Sequence, residues 1–272
     1  MLMPRAQLKQ LLEARLADPF AVLGMHRQAH AGDQVLVCRV FRPDAARIVV
    51  RQRDGGEAWP ALRVHPQGLF EAVLGGRTPF AYELEVTDAD GRVSRERDPY
   101  SFWPLLSSFD RYLFNEGSHL RAGDRLGAHP LTVDGCAGTC FAVWAPAAQR
   151  VSVVGDFNRW DGRRHPMRSL GTAGIWELFV PAVGEGALYK YELVTAPGEL
   201  ALKSDPYGFG TEVPPRTASV VCRLEGMEWG DGEWLERRAR LDPLTRPVSI
   251  YEAHAGPWPG DAAAPRPRSW PQ

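Results

Sequence analysis

The sequence predicts an all-β protein: two tandem immunoglobulin-like β-sandwiches with a short N-terminal helix. Three observations lead to this fold class. The chain has 272 residues, which is room for about two domains. Four short runs recur in the same order, each about one hundred residues further on. Glycine and proline clusters separate runs of alternating apolar and polar residues, as turns separate the strands of a sandwich.

The internal repeat is the strongest evidence for two similar domains. The run VFRP at 40–43 matches VWAP at 143–146, an offset of 103. Three further pairs follow: GLFE (68–71) with GIWE (174–177), FAYEL (80–84) with YKYEL (189–193), and DPY (98–100) with DPY (205–207). Their offsets are 106, 109 and 107. Collinear matches with drifting offsets indicate a duplicated module whose loops have changed in length.

Each copy has the pattern of half-buried strands. Residues 189–193 alternate large apolar side chains with Lys190 and Glu192, the period of two that such a strand requires. Trp144 and Trp176 occupy apolar positions of similar runs. The sequence therefore predicts that both tryptophans lie in the core.

The remaining segments are simpler. Leucines near helical spacing predict an amphipathic helix over 5–17, and 231–241 could form a short helix. Residues 107–132 have the glycines and proline of a connector, and 247–252 resemble a strand that opens after a proline. The predicted division is: 1–27, helix and signature run; 28–106, first sandwich; 107–133, connector; 134–225, second sandwich; 226–272, linker, strand and a proline- and alanine-rich tail.

Charge excludes several classes of partner. The chain has 32 Lys and Arg against 33 Asp and Glu, so a net charge of −1 gives no general attraction for nucleic acid or anionic membranes. No apolar run approaches the roughly 20 residues that span a bilayer, and the N-terminus is too charged for a signal peptide. We expect a cytoplasmic monomer that binds neither nucleic acid nor a membrane.

The cysteines predict no metal site. Cys136 and Cys140 are four residues apart, without a second pair at metal-ligand spacing. Together with Cys38 and Cys222 they are expected to be free thiols in a reducing compartment. No cofactor is predicted.

Several runs resemble a known family. Residues 18–26 (DPFAVLGMH) look like the opening signature of long bacterial glycogen branching enzymes. Residues 114–120 (FNEGSHL), followed by LGAH, resemble their connector between two N-terminal domains. Residues 141–148 (FAVWAPAA) and 154–162 (VGDFNRWDG) are similar to their carbohydrate-binding module of family 48. The resemblance implies the N-terminal, non-catalytic portion of a 1,4-alpha-glucan branching enzyme of glycogen biosynthesis.

Residues 250–258 (IYEAHAGPW) resemble the first strand of the family's catalytic (β/α)8 barrel, of glycoside hydrolase family 13. In this family two carboxylates on later strands transfer an α-1,4-glucan segment to a 6-hydroxyl with retention. Residues 259–272 no longer follow the family's pattern, so no catalytic residue is carried over, and the chain alone is expected to be inactive. A frameshift, a cut gene model and a true short product would each explain this ending.

The resemblance also implies a site for sugar. In glycan-binding relatives of the module, the tryptophan that matches Trp160 stacks on glucose, and the lysine that matches Lys190 hydrogen-bonds it. Their second tryptophan has no counterpart in 198–203 (GELALK). Binding of an α-glucan, glycogen or amylose-like, is therefore expected to be weak. Alternatively, Trp160 packs against the barrel or its own sandwich, and Lys190 is a solvated strand residue.

Three functions follow from these readings. The first is the N-terminal portion of a branching enzyme, and the second is a stand-alone α-glucan-binding module without catalysis. The third, a structural interaction protein unrelated to sugars, is disfavoured by the motifs. The motif histidines have no metal-ligand spacing, so no metal or acid–base role is predicted for His26, His119, His129 and His254.

Overall fold

The computed structural model describes residues 3–16, 18–30, 33–74, 78–224, 229–245 and 247–252. Residues 1–225 form one compact unit and residues 226–272 a second. The secondary structure is mostly antiparallel β-sheet, which confirms the all-β class with a short N-terminal helix. The tail beyond Glu252 lies outside the described residues.

The first sandwich is a seven-stranded sheet in the order β1-β2-β5-β4-β3-β6-β7. The strands are β1 (Gly24–His30), β2 (Asp33–Phe41), β3 (Ala45–Gln52), β4 (Ala58–His65), β5 (Leu69–Leu74), β6 (Tyr82–Asp88) and β7 (Val93–Glu96). Buried residues of β2, β3, β5 and β6, among them Ile48, Phe70 and Leu84, form one core. The sheet therefore folds over so that its two halves pack face to face.

The second sandwich has two separate sheets. One contains β8 (Gly127–Val133), β9 (Cys136–Trp144), β11 (Arg168–Ser169) and β12 (Ile175–Pro181). The other contains β10 (Arg150–Gly155), β13 (Leu188–Val194), β14 (Leu200–Lys203), β15 (Gly210–Thr211) and β16 (Ser219–Val220). Phe141 and Leu178 from the first sheet pack with Val153 and Tyr191 from the second. Inward residues of both sheets thus form the core, as in an immunoglobulin-like sandwich.

Three α-helices occur among the described residues: α1 (Arg5–Leu12), α2 (Ser108–Glu116) and α3 (Gly232–Ala239). The first and third lie where the sequence predicts helices. Helix α2 lies inside the predicted connector, where no helix is predicted. The sequence does contain a signal for the start of this helix, a capping box. Ser107 Oγ accepts the N–H of Asp110 at 3.0 Å, and the Asp110 carboxylate accepts the N–H of Ser107 at 3.2 Å. Gly117 then ends the helix with a φ of 80°.

Both sandwiches contain the same buried hydrogen bond. The hydroxyl of Tyr82 donates to Asp98 Oδ2 at 2.6 Å, and that of Tyr189 to Asp205 Oδ2 at 2.7 Å. Each aspartate also accepts the N–H two residues later, which fixes the DPY turn. A buried polar group without a partner is costly. The tyrosine and the aspartate therefore recur together.

The strand register corrects one offset of the repeat. Gln52 of β3 pairs with Tyr82, and Gly155 of β10 pairs with Tyr189. Gln52 and Gly155 are 103 residues apart, the offset of the first repeated run. Tyr82 therefore corresponds to Tyr189, with an offset of 107 and not the predicted 109. This offset equals that of the DPY runs.

The two predicted core tryptophans behave differently. Trp176 is buried at 4% exposure and donates its indole N–H to the carbonyl oxygen of Ala145. Trp144 is 51% exposed, so the prediction that it lies in the core is wrong. Its neighbour Val143 faces the core, and successive strand residues point to opposite faces. Trp144 therefore lies on the outer face, with its ring centroid 6.0 Å from that of Phe114.

These positions give a matched pair of variants. Trp176→Ala is expected to lower the free energy of unfolding by about 3–5 kcal/mol, because it empties a packed site. Trp144→Ala is expected to cost less than about 1 kcal/mol, as is usual for exposed positions. Urea unfolding followed by circular dichroism measures both. Equal losses would show that Trp144 is part of the core.

The strand predicted for 247–252 is not found. These residues have no regular secondary structure, and Ile250 and Tyr251 are 90% and 85% exposed. A strand requires a neighbour for its N–H and C=O groups. Among the described residues of the second compact unit, 229–245 and 247–252, there is no strand with which this segment could pair.

Candidate functional site

The predicted sugar platform lies in residues 156–167, called here the 156–167 loop, which connects β10 to β11. A buried side chain, Asn158, anchors this loop. It accepts the N–H of Gly155 and donates to the carbonyl oxygen of Val153 and to Nδ1 of His165, each at 2.9 Å. Burial lowers the pKa of His165 well below its usual range, so the neutral ring can accept this bond.

A buried arginine holds the loop against the sheet. Arg150 is 1% exposed and donates to Ser152 Oγ at 2.6 Å, to the carbonyl oxygen of Gly162 at 2.9 Å and to the Glu192 carboxylate. The equivalent residue of the first sandwich, Arg47, is exposed. There β3 continues through a short turn into β4. The loop and its buried arginine are therefore features of the second sandwich.

The loop presents Trp160 in a constrained conformation. Arg159 and Trp160 have φ angles of 58° and 59°, the left-handed region that costs a non-glycine residue about 1 kcal/mol or more. The N–H of Trp160 donates to the carbonyl oxygen of Gly155 at 3.0 Å, and its indole Nε1 donates to Asp156 Oδ1 at 2.8 Å. These bonds fix one edge of the ring while 37% of the residue stays exposed. Strain held in this way is typical of binding and catalytic sites.

Lys190 lies on the outward face of β13. Its neighbours Tyr189 and Tyr191 are buried in the core, so the alternation of the strand directs Lys190 to the other face. Its ammonium group donates to Thr217 Oγ1 at 2.6 Å. Lys190 pairs with Val154, next to the Gly155 that binds the backbone of Trp160. The two predicted site residues therefore belong to the same end of the sheet.

Strand β14 adds a feature that sequence reasoning missed. Leu202 pairs with Glu192 and Leu200 with Val194, so both leucines share the outward face with Lys190. They are 51% and 68% exposed. The strand occupies the segment where a second tryptophan is absent. The run LALK contained the signal for this apolar face, because its alternation puts two leucines on the same side of a strand. Such a side either packs in a core or offers an apolar contact at the surface.

The loop also contacts the first sandwich. The hydroxyl of Tyr100 donates to the carbonyl oxygen of Pro166 at 3.3 Å. Arg164 Nη1 lies 3.3 Å from Asp44 Oδ2. Just after the loop, the Arg168 guanidinium lies 3.5 Å from the centroid of the Phe20 ring. The 156–167 loop is therefore held between the two sandwiches.

The motif histidines have local partners. His26 and His129 bond the carbonyl oxygens of Leu23 and Leu126 at 2.8 and 3.0 Å, and His119 lies 3.1 Å from an Asp110 oxygen. His254 lies outside the described residues. Within the described ranges no group of three or more His, Cys, Asp or Glu could hold a metal ion. The helices of this part of the chain are too short or too polar to cross a membrane.

The four cysteines are free thiols. Burial raises the pKa of the Cys38 and Cys140 thiols well above their usual range. A thiol acts as a nucleophile only when it is deprotonated. Neither buried cysteine therefore has the character of a reactive group.

Comparison with known proteins places both sandwiches. Residues 4–100 match the model of "alpha-1,4-glucan branching enzyme GlgB, N-terminal domain", and residues 125–208 match "Carbohydrate-binding module 48 (Isoamylase N-terminal domain)". Among curated proteins, the 1,4-alpha-glucan branching enzyme GlgB of Myxococcus xanthus is 51% identical over 256 residues, 93% of this chain and 34% of that protein. That of Synechococcus sp. (strain JA-3-3Ab) is 46% identical over 267 residues, 94% of this chain and 34% of that protein.

Similarity to solved structures is more distant. The pullulanase of Anoxybacillus sp. LM18-11 is 18% identical with a TM-score of 0.31, over 74% of this chain and 28% of that one. The two family models show a GlgB N-terminal domain followed by a carbohydrate-binding module of family 48. The chain matches the N-terminal portion of 1,4-alpha-glucan branching enzymes of the GlgB type. It spans about one third of the length of the curated relatives it matches.

Proposed function

We propose that this chain is the glucan-binding, non-catalytic portion of a branching enzyme of glycogen biosynthesis, and that Trp160 and Lys190 contact the α-glucan. The observation that carries this is the construction of the 156–167 loop. Asn158 and Arg150 hold it by buried hydrogen bonds, and the strained backbone leaves Trp160 37% exposed. A tryptophan needed only for packing within its own sandwich would be buried.

The proposed contacts follow from sugar chemistry. The apolar C–H face of glucose stacks on a flat, rigid indole. The Lys190 ammonium carries three donors, of which one is used by Thr217, so it can donate to a sugar hydroxyl. Leu202 offers a further apolar contact on the same face of the sheet. With one aromatic platform, the affinity is expected to be weak.

The relatives are named as branching enzymes, and this chain covers about a third of them. We assign the transfer chemistry to the parts of those proteins outside this match and propose no catalytic residue, metal or cofactor here. We also propose a cytoplasmic monomer and the division into 1–27, 28–106, 107–133, 134–225 and 226–272, except that β1 extends the first sandwich back to residue 24 and β8 extends the second back to residue 127.

Affinity electrophoresis in glycogen-containing gels tests the site. Trp160→Ala is expected to weaken binding about tenfold, which corresponds to about 1.4 kcal/mol, the upper end of the 0.5–1.5 kcal/mol typical of aromatic contacts. Lys190→Ala should weaken it less, because one hydrogen bond is lost. Trp103→Ala is the control, since Trp103 is 86% exposed and lies outside the loop. Unchanged retardation of Trp160→Ala, or retardation lost equally in the control, would refute the assignment.

A further inference from the structure

We propose that the α-glucan bound at Trp160 continues past Arg159 into a cleft between the two sandwiches, which accepts further glucose units of the same chain. This inference rests on the proposed function and deepens it. The site would then bind long α-glucan chains, and the first sandwich would supply part of its binding surface.

The cleft is linked to the platform through Arg159, which lines the cleft and precedes Trp160 in the loop. It has a volume of about 350 Å³ and is lined by Arg159 of the loop and, from the first sandwich, by Asp44, Arg63 and Asp90. A second cavity of about 210 Å³ shares Asp44 and Arg159 and extends to Asp161. Both cavities are therefore next to Arg159, the residue before Trp160. Together they reach the size of ordinary small-ligand sites.

The near balance of charges in the lining suits a neutral, hydroxyl-rich ligand. Four carboxylates face three guanidinium groups around the two cavities: Asp44, Asp88, Asp90 and Asp161 against Arg63, Arg159 and Arg164. Such a balance gives neither an anion nor a cation a large advantage. Carboxylate oxygens accept from sugar hydroxyls and guanidinium N–H groups donate to them. Pro43, Ala45 and Ala46 add small apolar surfaces for the C–H faces.

The cleft is also held rigidly where it meets the platform. Arg159 has the left-handed backbone that the buried Asn158 and the Gly155–Trp160 hydrogen bond enforce. On the other side, Arg164 of the loop pairs with Asp44 of the first sandwich. A chain that leaves the indole face would therefore meet fixed polar groups, and binding would cost little ordering of the protein.

Isothermal titration of the 272-residue chain with maltose, maltotriose and maltoheptaose tests this. The variant Arg63→Gln/Asp90→Asn removes two charges of the cleft without touching the loop. Its control, Arg53→Gln/Asp54→Asn, changes the same residue types at the opposite end of β3. Trp160→Ala tests the platform itself. A long glucan can place any of several glucose units on a single platform, which by itself raises its apparent affinity. Each variant is therefore compared with the unmodified chain for the same ligand.

We expect Arg63→Gln/Asp90→Asn to bind maltoheptaose about five- to tenfold more weakly and maltose as the unmodified chain does, while its control changes neither. Trp160→Ala should lose affinity for all three ligands. If the cleft variant binds maltoheptaose normally while Trp160→Ala does not, the cleft is refuted and the platform stands. If the unmodified chain binds none of the three, the proposed function fails and the extension with it.

Discussion

Replacing Arg150 by methionine is expected to lower the free energy of unfolding by about 3 kcal/mol and to weaken retardation by glycogen as much as Trp160→Ala does. Removing one partner of a buried ion pair typically costs 3–5 kcal/mol, because the other groups lose their partner. Here Glu192 and the carbonyl oxygen of Gly162 lose a donor. The Glu192 side chain is 21% exposed, so water replaces part of the bond and the lower end of the range applies. The loop is then no longer hydrogen-bonded to the sheet through Arg150, and Trp160 loses its fixed orientation.

The duplicated architecture provides the control. Arg47→Met alters the equivalent, exposed residue of the first sandwich and should change the free energy of unfolding by less than about 0.5 kcal/mol. Urea unfolding gives the stability of both variants, and near-ultraviolet circular dichroism gives the packing of the tryptophans. An Arg150→Met protein that is as stable as the unmodified chain, and is retarded by glycogen as strongly, would show that Arg150 does not hold the loop.

Arg47 and Arg150 also show what could be predicted from the sequence. The repeat and the strand alternation predict both sandwiches, because the period of two is a local property of the chain. The two arginines follow equivalent runs and look alike in sequence. One is buried only because the 156–167 loop folds over it, which no local pattern reveals. The prediction for Trp144 was wrong for a related reason. Alternation separates the two faces of a strand but does not indicate which face the core covers.

The candidate site likewise contains some residues that were predicted from the sequence and others that were not. Resemblance to a family predicted Trp160 and Lys190, and the structure places both at one end of a sheet. The supporting Asn158 and the cleft at Asp44 and Arg63 were not predicted. They depend on contacts between segments far apart in the chain, and in the cleft between two sandwiches. Such contacts follow from the packing of whole domains.

Lowering the pH from 7 to 5 is expected to stabilise the first sandwich through Asp98. Burial raises the pKa of this carboxyl from 3.8 to about 6, although hydrogen bonds from Tyr82 and from the N–H of Tyr100 oppose the rise. Between these values the folded state holds a proton that the unfolded chain has lost. The contribution is therefore fully present below pH 3.8 and is lost as the pH rises through 6. It amounts to about 3 kcal/mol over the whole window.

Asp98→Asn isolates this effect because the amide stays neutral at every pH. Between pH 7 and 5 the unmodified chain should gain about 1 kcal/mol in free energy of unfolding relative to the variant, measured by urea titration. His165 acts in the opposite direction, since its pKa is lowered by burial and its contribution is lost as the pH falls below 6.5. His165 is present in both proteins, so it cancels in the difference. A difference that does not vary with pH would mean that Asp98 is already ionised in the folded protein, with Tyr82 and Tyr100 sufficient to stabilise its charge.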